Sequence, residues 1–122
     1  MAEIHLRDTE WSLLRALWDL EEASARDISA HLQAEHGWAY STVKTLLDRM
    51  VKRGVVAQRR EGRTWMYSAA IERRDAQRTV WQRFVDLAFQ GSLAPALQFI
   101  ARDTSLTDDQ RSELLALLHR EE

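Results

Sequence analysis

The hydrophobic period of this chain changes sharply at Gly54, and that change restricts its fold more than any other feature. Before it, in "STVKTLLDRMVKRG" (residues 41–54), Val43, Leu46, Leu47, Met50 and Val51 recur at i, i+3, i+4, i+7 and i+8. That spacing lines one face of a helix, and Gly54 stands where helices stop. After it come two strand-like runs, "VVAQRR" and "RTWMYS", separated by "EG", whose glycine supplies the positive φ of a short turn. Val56, Trp65 and Tyr67 are the candidates for the packed side of this hairpin.

The segments upstream read as two more helices. Thr9 is the expected cap of a first helix reaching about residue 22, with Trp11, Leu14, Leu17 and Trp18 on one face. Ser24, with Asp27 three residues on, resembles a capping box opening a second. Ile28, Leu32 and His31 are its candidates for inward positions, and Gly37 its stop. Ser41 or Tyr40 caps the third helix. Three short helices followed by a hairpin form the outline of a winged helix-turn-helix.

Downstream, the pattern is helical again. "RRDAQRTVWQRFVDLAFQG" gives Val80, Trp81, Phe84, Val85, Leu87 and Ala88 a broad apolar face ending at Gly91. A second helix begins at Ser92 with Pro95 in its first turn, and Thr107 with Gln110 forms a capping box for a third. The expected class is mainly α: an α+β winged helix-turn-helix at 1–72, with a helical dimerisation region at 73–122. The junction is expected within 68–75. So short a tail cannot cover its own large apolar side chains, because small units expose too much surface. A second copy supplies the cover.

Charge singles out the middle of the chain. The formal net charge is −2, but residues 1–39 carry three basic and eight acidic side chains, whereas residues 40–68 carry seven basic and two acidic. Such a local basic footprint is masked in the whole-chain balance. On a helix, Ser41, Thr45, Asp48, Arg49 and Lys52 lie opposite the apolar stripe, with Lys44 on the flank. Short hydroxyl side chains near the N-terminus let the backbone approach bases, and a Thr methyl can touch thymine. Lys and Arg reach phosphates or guanine edges. Arg59, Arg60 and Arg63 on the hairpin are expected to straddle the neighbouring backbone or minor groove. The bland alternative is a solvated amphipathic helix; the helices, terminal glycine and arginine-bearing hairpin together favour nucleic acid.

Other chemistries find little support. The chain has no cysteine, which excludes disulfides and thiolate metal sites. No signal-peptide pattern opens it and no apolar run approaches the ~18–20 residues that span a bilayer, so a soluble, cytoplasmic protein without membrane insertion is expected. No nucleophile–base pair, phosphate loop or cleft carboxylate pair is evident, so neither an enzyme nor a cofactor is expected. His31, Glu35 and His36 fit no metal motif, and His5 and His119 stand alone near the ends. Trp11, Trp18 and Trp81 read as core or dimer packing. Trp38 either packs under the turn or lies near the phosphate backbone, and Trp65 reads as framework.

The segments "TEWSLLRALW", "ASARDISAHL", "WAYSTVKTLLDRMVKRGVV", "REGRTWMYS" and "GSLAPALQFIARDTSLTDDQRSELLALL" together resemble the penicillinase repressor family of BlaI/MecI/CopY type. The resemblance implies a homodimeric repressor that binds double-stranded DNA at a palindromic operator and controls resistance genes. It implies DNA contacts at Ser41, Thr42, Lys44, Thr45 and Arg49, and a wing matched by Arg60, Gly62 and Arg63 with Trp65 and Tyr67 as framework. The dimerisation positions would include Trp81, Phe84, Val85, Phe99, Leu114 and Leu118. In antibiotic-sensing members a membrane sensor with a zinc protease domain triggers cleavage in the dimerisation region. The corresponding bond here joins Gln98 to Phe99, where penicillinase repressors carry Asn before the Phe. The cysteine motif of the copper-responsive branch is missing. Two other readings remain open: a winged-helix protein-interaction module, and a regulator released by a small-molecule effector.

Overall fold

A computed structural model of the chain describes residues 6–119, so His5 lies outside the described residues. These form two compact units, one reaching Trp81 and one starting at Gln82. The first contains α1 (Asp8–Leu20), β1 (Ala23–Ser24), α2 (Ala25–His36), α3 (Tyr40–Lys52), β2 (Val56–Glu61) and β3 (Thr64–Ala69). Helix α4 (Arg73–Phe89) runs across the division, and α5 (Leu93–Asp103) and α6 (Asp108–Leu118) belong to the second unit.

The cap of α1 is Arg7, not Thr9. The Glu10 carboxylate accepts the Arg7 backbone N–H at 2.9 Å, which sets the helix start two residues before Thr9. Its end is also earlier than expected, because Glu21 adopts φ 70° and the chain then extends into β1. The two residues of β1 are too few to register as a strand in the sequence. They pair antiparallel with β3, Ala23 opposite Tyr67 and Ser24 opposite Met66.

Ser24 caps α2 as expected, its hydroxyl accepting the Asp27 N–H at 3.1 Å, and Gly37 closes that helix at φ 63°. Ile28 and Leu32 face the core, but His31 is exposed. Neither Ser41 nor Tyr40 caps α3. Ala39 takes that position, its carbonyl accepting the N–H groups of Thr42 (3.0 Å) and Val43 (3.2 Å). The side chains of Ser41 and Thr42 are thereby left outward-facing on the first turn.

The sheet order is β1-β3-β2. Glu61 pairs with Thr64, so the turn residues are Gly62 and Arg63 rather than Glu61 and Gly62. Val56 and Tyr67 are buried as expected, but Trp65 is 41% exposed. It shares a sheet face with Tyr67, yet sits nearer the turn, where it lines an open cleft with Arg26, Tyr40 and Lys44.

The core joins Leu13, Leu14 and Leu17 of α1, Ile28 and Leu32 of α2, Val43, Leu47 and Met50 of α3, and Val56 and Tyr67 at the wing root. Burial of each large aliphatic side chain contributes about 1.5–3 kcal/mol. Leu46 and Val51, expected in the same stripe, are partly buried at its margin. Trp18 donates its indole N–H to the Ile71 carbonyl at 3.0 Å and meets Trp11 edge-on at 5.8 Å. Trp38 packs partly buried against this core, with the His36 ring stacked on it at 4.3 Å.

In the second unit, Thr107 and Gln110 form the expected capping box, with bonds of 3.0 and 3.1 Å. Phe89 meets Phe84 and Phe99 edge-on at 5.7 and 6.0 Å. Val85 and Ala96 are buried, whereas Phe84, Leu87, Phe99, Leu115, Leu117 and Leu118 are each at least half exposed. No single helix among the described residues is long and apolar enough to cross a membrane.

Candidate nucleic-acid interface

Helix α3 turns Val43, Leu47 and Met50 inward and leaves the opposite face in solvent. On that face Ser41, Thr42, Thr45 and Arg49, with Leu46 at the margin, line one shallow depression of about 270 Å³. Four of the five recognition-helix positions expected from the sequence therefore stand together. The hydroxyls occupy the first turns and the guanidinium follows two turns on. A helix so arranged can approach base edges at its N-terminal end while a cation reaches further along a groove.

Lys44, the fifth position, lies to the side. Its ammonium bonds Asp48 Oδ1 at 2.8 Å, and it faces the wing rather than the hydroxyl face. The bond to Asp48, together with the nearby Tyr67 hydroxyl, holds its pKa above the ordinary lysine value, so it is charged throughout the physiological range. The contact to Tyr67 does not itself meet hydrogen-bond geometry.

The hairpin arginines divide by strand alternation. Arg60 sits across from Trp65 on the face that includes Tyr67, its guanidinium 5.5 Å from the Trp65 ring centroid. It also donates Nε–H to the Gly62 carbonyl at 3.3 Å. Arg63 occupies the turn and is exposed. Arg59 points to the other face, where Nε and Nη2 each donate to a Glu22 oxygen at 2.6 Å and Nη2 also reaches Glu61 at 3.0 Å. Residues 59 and 60 thus face opposite ways, and the side chain of Arg59 is held by carboxylates in this structure. Hydrogen bonding from Arg59 keeps the Glu22 carboxyl below its ordinary range.

Arg53 is likewise structural. It closes α3 and forms an ion pair with Glu10 on α1, whose carboxylate is nearly fully buried. Burial opposes the charge on Glu10, but the Arg7 N–H and the Arg53 guanidinium outweigh it and lower its pKa. Of the basic side chains in this region, Arg49, Lys52, Arg60 and Arg63 make no ion pair among the described residues. Sequence reading missed the separation of clamping from outward-facing arginines; the strand parity of 59 and 60 signals only that those two face opposite ways.

Among the residues matched to dimerisation, Trp81, Phe84, Phe99 and Leu118 are 42–60% exposed, while Val85 is buried. Leu114 is half-buried in a groove between α5 and α6 that also includes Leu97, Ile100 and Leu118. Gln98 and Phe99 lie inside α5.

The chain is similar to known proteins over nearly its whole length. It is 23% identical over 116 residues to the methicillin resistance regulatory protein MecI of Mammaliicoccus sciuri, covering 94% of each chain. It is 24% identical to the penicillinase repressor of Bacillus licheniformis, covering 93% of this chain and 88% of that protein. The solution structure of the DNA-binding domain of the repressor BlaI superposes with a TM-score of 0.55 at 23% identity, covering 61% of this chain and 90% of that one. The Bacillus licheniformis BlaI monomer, solved with the blaP half-operator, gives 0.53 at 23% identity over 61% of this chain and 90% of that one. These superpositions establish the winged-helix fold. The family model described as penicillinase repressor matches residues 6–120, and the chain belongs to that family.

Proposed function

We propose that this chain is a DNA-binding transcriptional repressor that acts in the cytoplasm by binding rather than catalysis. Residues 1–72 would bind DNA, and residues 73–122 would pair two copies on a palindromic operator. The observation that carries this reading is the gathering of Ser41, Thr42, Thr45 and Arg49 on the outer face of α3. In the proposed complex α3 enters the major groove, Arg49 and Lys44 reach base edges or phosphates, and Arg60 and Arg63 follow the neighbouring backbone.

Pairing through the second unit is supported by surface chemistry. Of twelve large hydrophobic side chains exposed among the described residues, eight lie in the second unit. A second copy of the same surface would cover them, and twofold symmetry then implies two half-sites about one helical turn apart, or a multiple of that. Losing the partner would halve the phosphate contacts, and affinity falls steeply with their number. Cleavage of the Gln98–Phe99 bond by a membrane sensor protease would release the operator in this way. The relatives named for methicillin resistance and penicillinase support resistance genes as the controlled set.

The reading is tested by titrating the chain against palindromic and scrambled duplexes at several salt concentrations. The expected result is tighter binding to the palindrome, with two chains bound and log affinity falling linearly with log salt. Equal, background-level binding to both duplexes at low salt would overturn it and favour an acidic protein as the partner.

A further inference from the structure

The β1–β3 ladder sets the start of α2 against the foot of the wing, because Ser24 both pairs with Met66 and caps the helix. Between this start, the first half of α3 and the wing lies a cleft of about 340 Å³. Arg26, Lys44 and Arg63 line it, none of the lining residues is acidic, and Asp48, which pairs with Lys44 at 2.8 Å, lies outside the lining. Asp27, on the same helical turn, lies outside the lining. First-turn amides of α2 have no intrahelical acceptors and carry the positive end of the helix dipole. These features favour an anion, and a second observation points to one independently. Tyr67, which also lines the cleft, is 1% exposed, and its hydroxyl is buried without a hydrogen bond among the described residues. The Lys44 ammonium stands 5.9 Å from the Tyr67 ring centroid. A buried hydroxyl left unpaired is a standing cost that an acceptor oxygen in the cleft would relieve. An anionic oxygen would do so best, since hydrogen bonds to charged acceptors are the stronger ones.

We propose that this cleft holds one phosphate group, namely a backbone phosphodiester of the bound duplex, with Tyr67 as hydroxyl donor and Arg26, Lys44 and Arg63 as its counter-charge. The proposal rests on the DNA-binding reading and adds Tyr67, Arg26 and the α2 N-terminus to the interface. A duplex phosphate is favoured over a free anion because the cleft lies between α3 and the wing, the two elements that reading assigns to DNA.

The Tyr67→Phe variant removes one oxygen and keeps the ring in the core, so its thermal midpoint should match or exceed the parent's. Its duplex affinity should fall about tenfold. Its salt slope should be unchanged, because no cation is lost, whereas Arg26→Ala should lower that slope by about one. A series of duplexes, each with one neutral methylphosphonate, should contain a position that weakens the parent and leaves Tyr67→Phe unaffected. A role confined to packing predicts parental affinity and no such position, and that result overturns the proposal. Inorganic phosphate, compared with chloride at equal ionic strength, separates the sources. If phosphate raises the parent's midpoint but not the variant's, and no methylphosphonate position couples, the site takes free phosphate and the duplex assignment falls. If the parent binds no duplex at all, the DNA reading itself has failed, and the phosphate response alone decides whether the cleft binds an anion.

Discussion

Arg59 donates both Nε and Nη2 to Glu22, at 2.6 Å each, and so ties the first wing strand to the turn after α1. The pair is exposed, but its two-point geometry fixes an arginine that would otherwise be free to reach DNA. Arg59→Ala is therefore expected to loosen the wing root, with a small drop in denaturant midpoint, and to leave the salt slope of duplex binding as it was. Arg63→Ala should do the reverse: unchanged stability and a slope lower by about one. Urea denaturation and gel shifts at a series of salt concentrations check the contrast. A lowered slope for Arg59→Ala would mean that the clamp opens on DNA.

The outer face of α3 predicts a split between position and sequence reading. Arg49→Ala should weaken operator binding by about 1–3 kcal/mol and relax the preference at one base pair, if its guanidinium reads a guanine edge. Thr45→Ser removes only a methyl group and should reduce discrimination for thymine with little loss on other sequences. Competition gel shifts with single-base operator variants measure both. Uniform loss on every variant would make Arg49 a phosphate contact instead.

Glu10 predicts an acid-sensitive fold. Its carboxyl is held below the usual 4.5, against burial, by the Arg7 N–H and Arg53. A group whose folded pKa is depressed stabilises the fold above its unfolded value. That stability is full above about 4.5 and is lost as pH falls through the lower folded value. Glu10→Gln should cost about 1–3 kcal/mol at neutral pH and flatten the stability profile on the acid side. Urea midpoints at neutral and acid pH provide the readout, and parallel profiles for variant and parent would exclude the pair as the source.

The second unit predicts a dimer broken by surface charge. Phe84 is 50% and Leu118 60% exposed, so a charged side chain at either position costs the isolated fold little. Covering each in a dimer would contribute on the order of 1–3 kcal/mol. Phe84→Glu combined with Leu118→Glu should sediment as a monomer at concentrations where the parent is a dimer, with parental helix content. Its operator affinity should fall towards that for a single half-site. A variant that remains dimeric would move the interface elsewhere.

What was legible in the sequence follows the range of the forces involved. The inward positions of α3 at Val43, Leu47 and Met50, the Ser24 cap and the Thr107–Gln110 box are set within one or two helical turns, and the structure has them as read. Features that depend on distant partners were not legible. Ala23 and Ser24 are a strand only because β3 passes beside them, and Trp65 looks like core until it is seen to face an open cleft. The start of α1 was missed for a local reason: Glu10 reaching back to Arg7 outcompetes the more familiar Thr9 cap. The basic cluster was visible as composition, but its division into clamps and outward-facing cations required knowing where Glu10 and Glu22 lie.

The Gln98–Phe99 bond lies inside α5, and this predicts how its cleavage would be controlled. A protease takes its substrate extended, so the helix must open around residue 98 before the bond can be reached. Opening within one such helix is a local equilibrium, distinct from global unfolding. When opening and closing are fast relative to the chemical step, the cleavage rate follows the open population. Ala101 is exposed within three residues of the bond. Ala101→Gly lowers helix stability by about 1 kcal/mol, which raises the open population about fivefold. A membrane-sensor zinc protease should therefore cut Ala101→Gly about five times faster than the parent, giving fragments that meet between residues 98 and 99. Gln98→Asn, which restores the residue found in the penicillinase repressors, should also speed cleavage. Mass analysis of timed digests measures both rates. Fragments ending elsewhere, or equal rates for all three chains, would rule out control of this bond by the opening of α5.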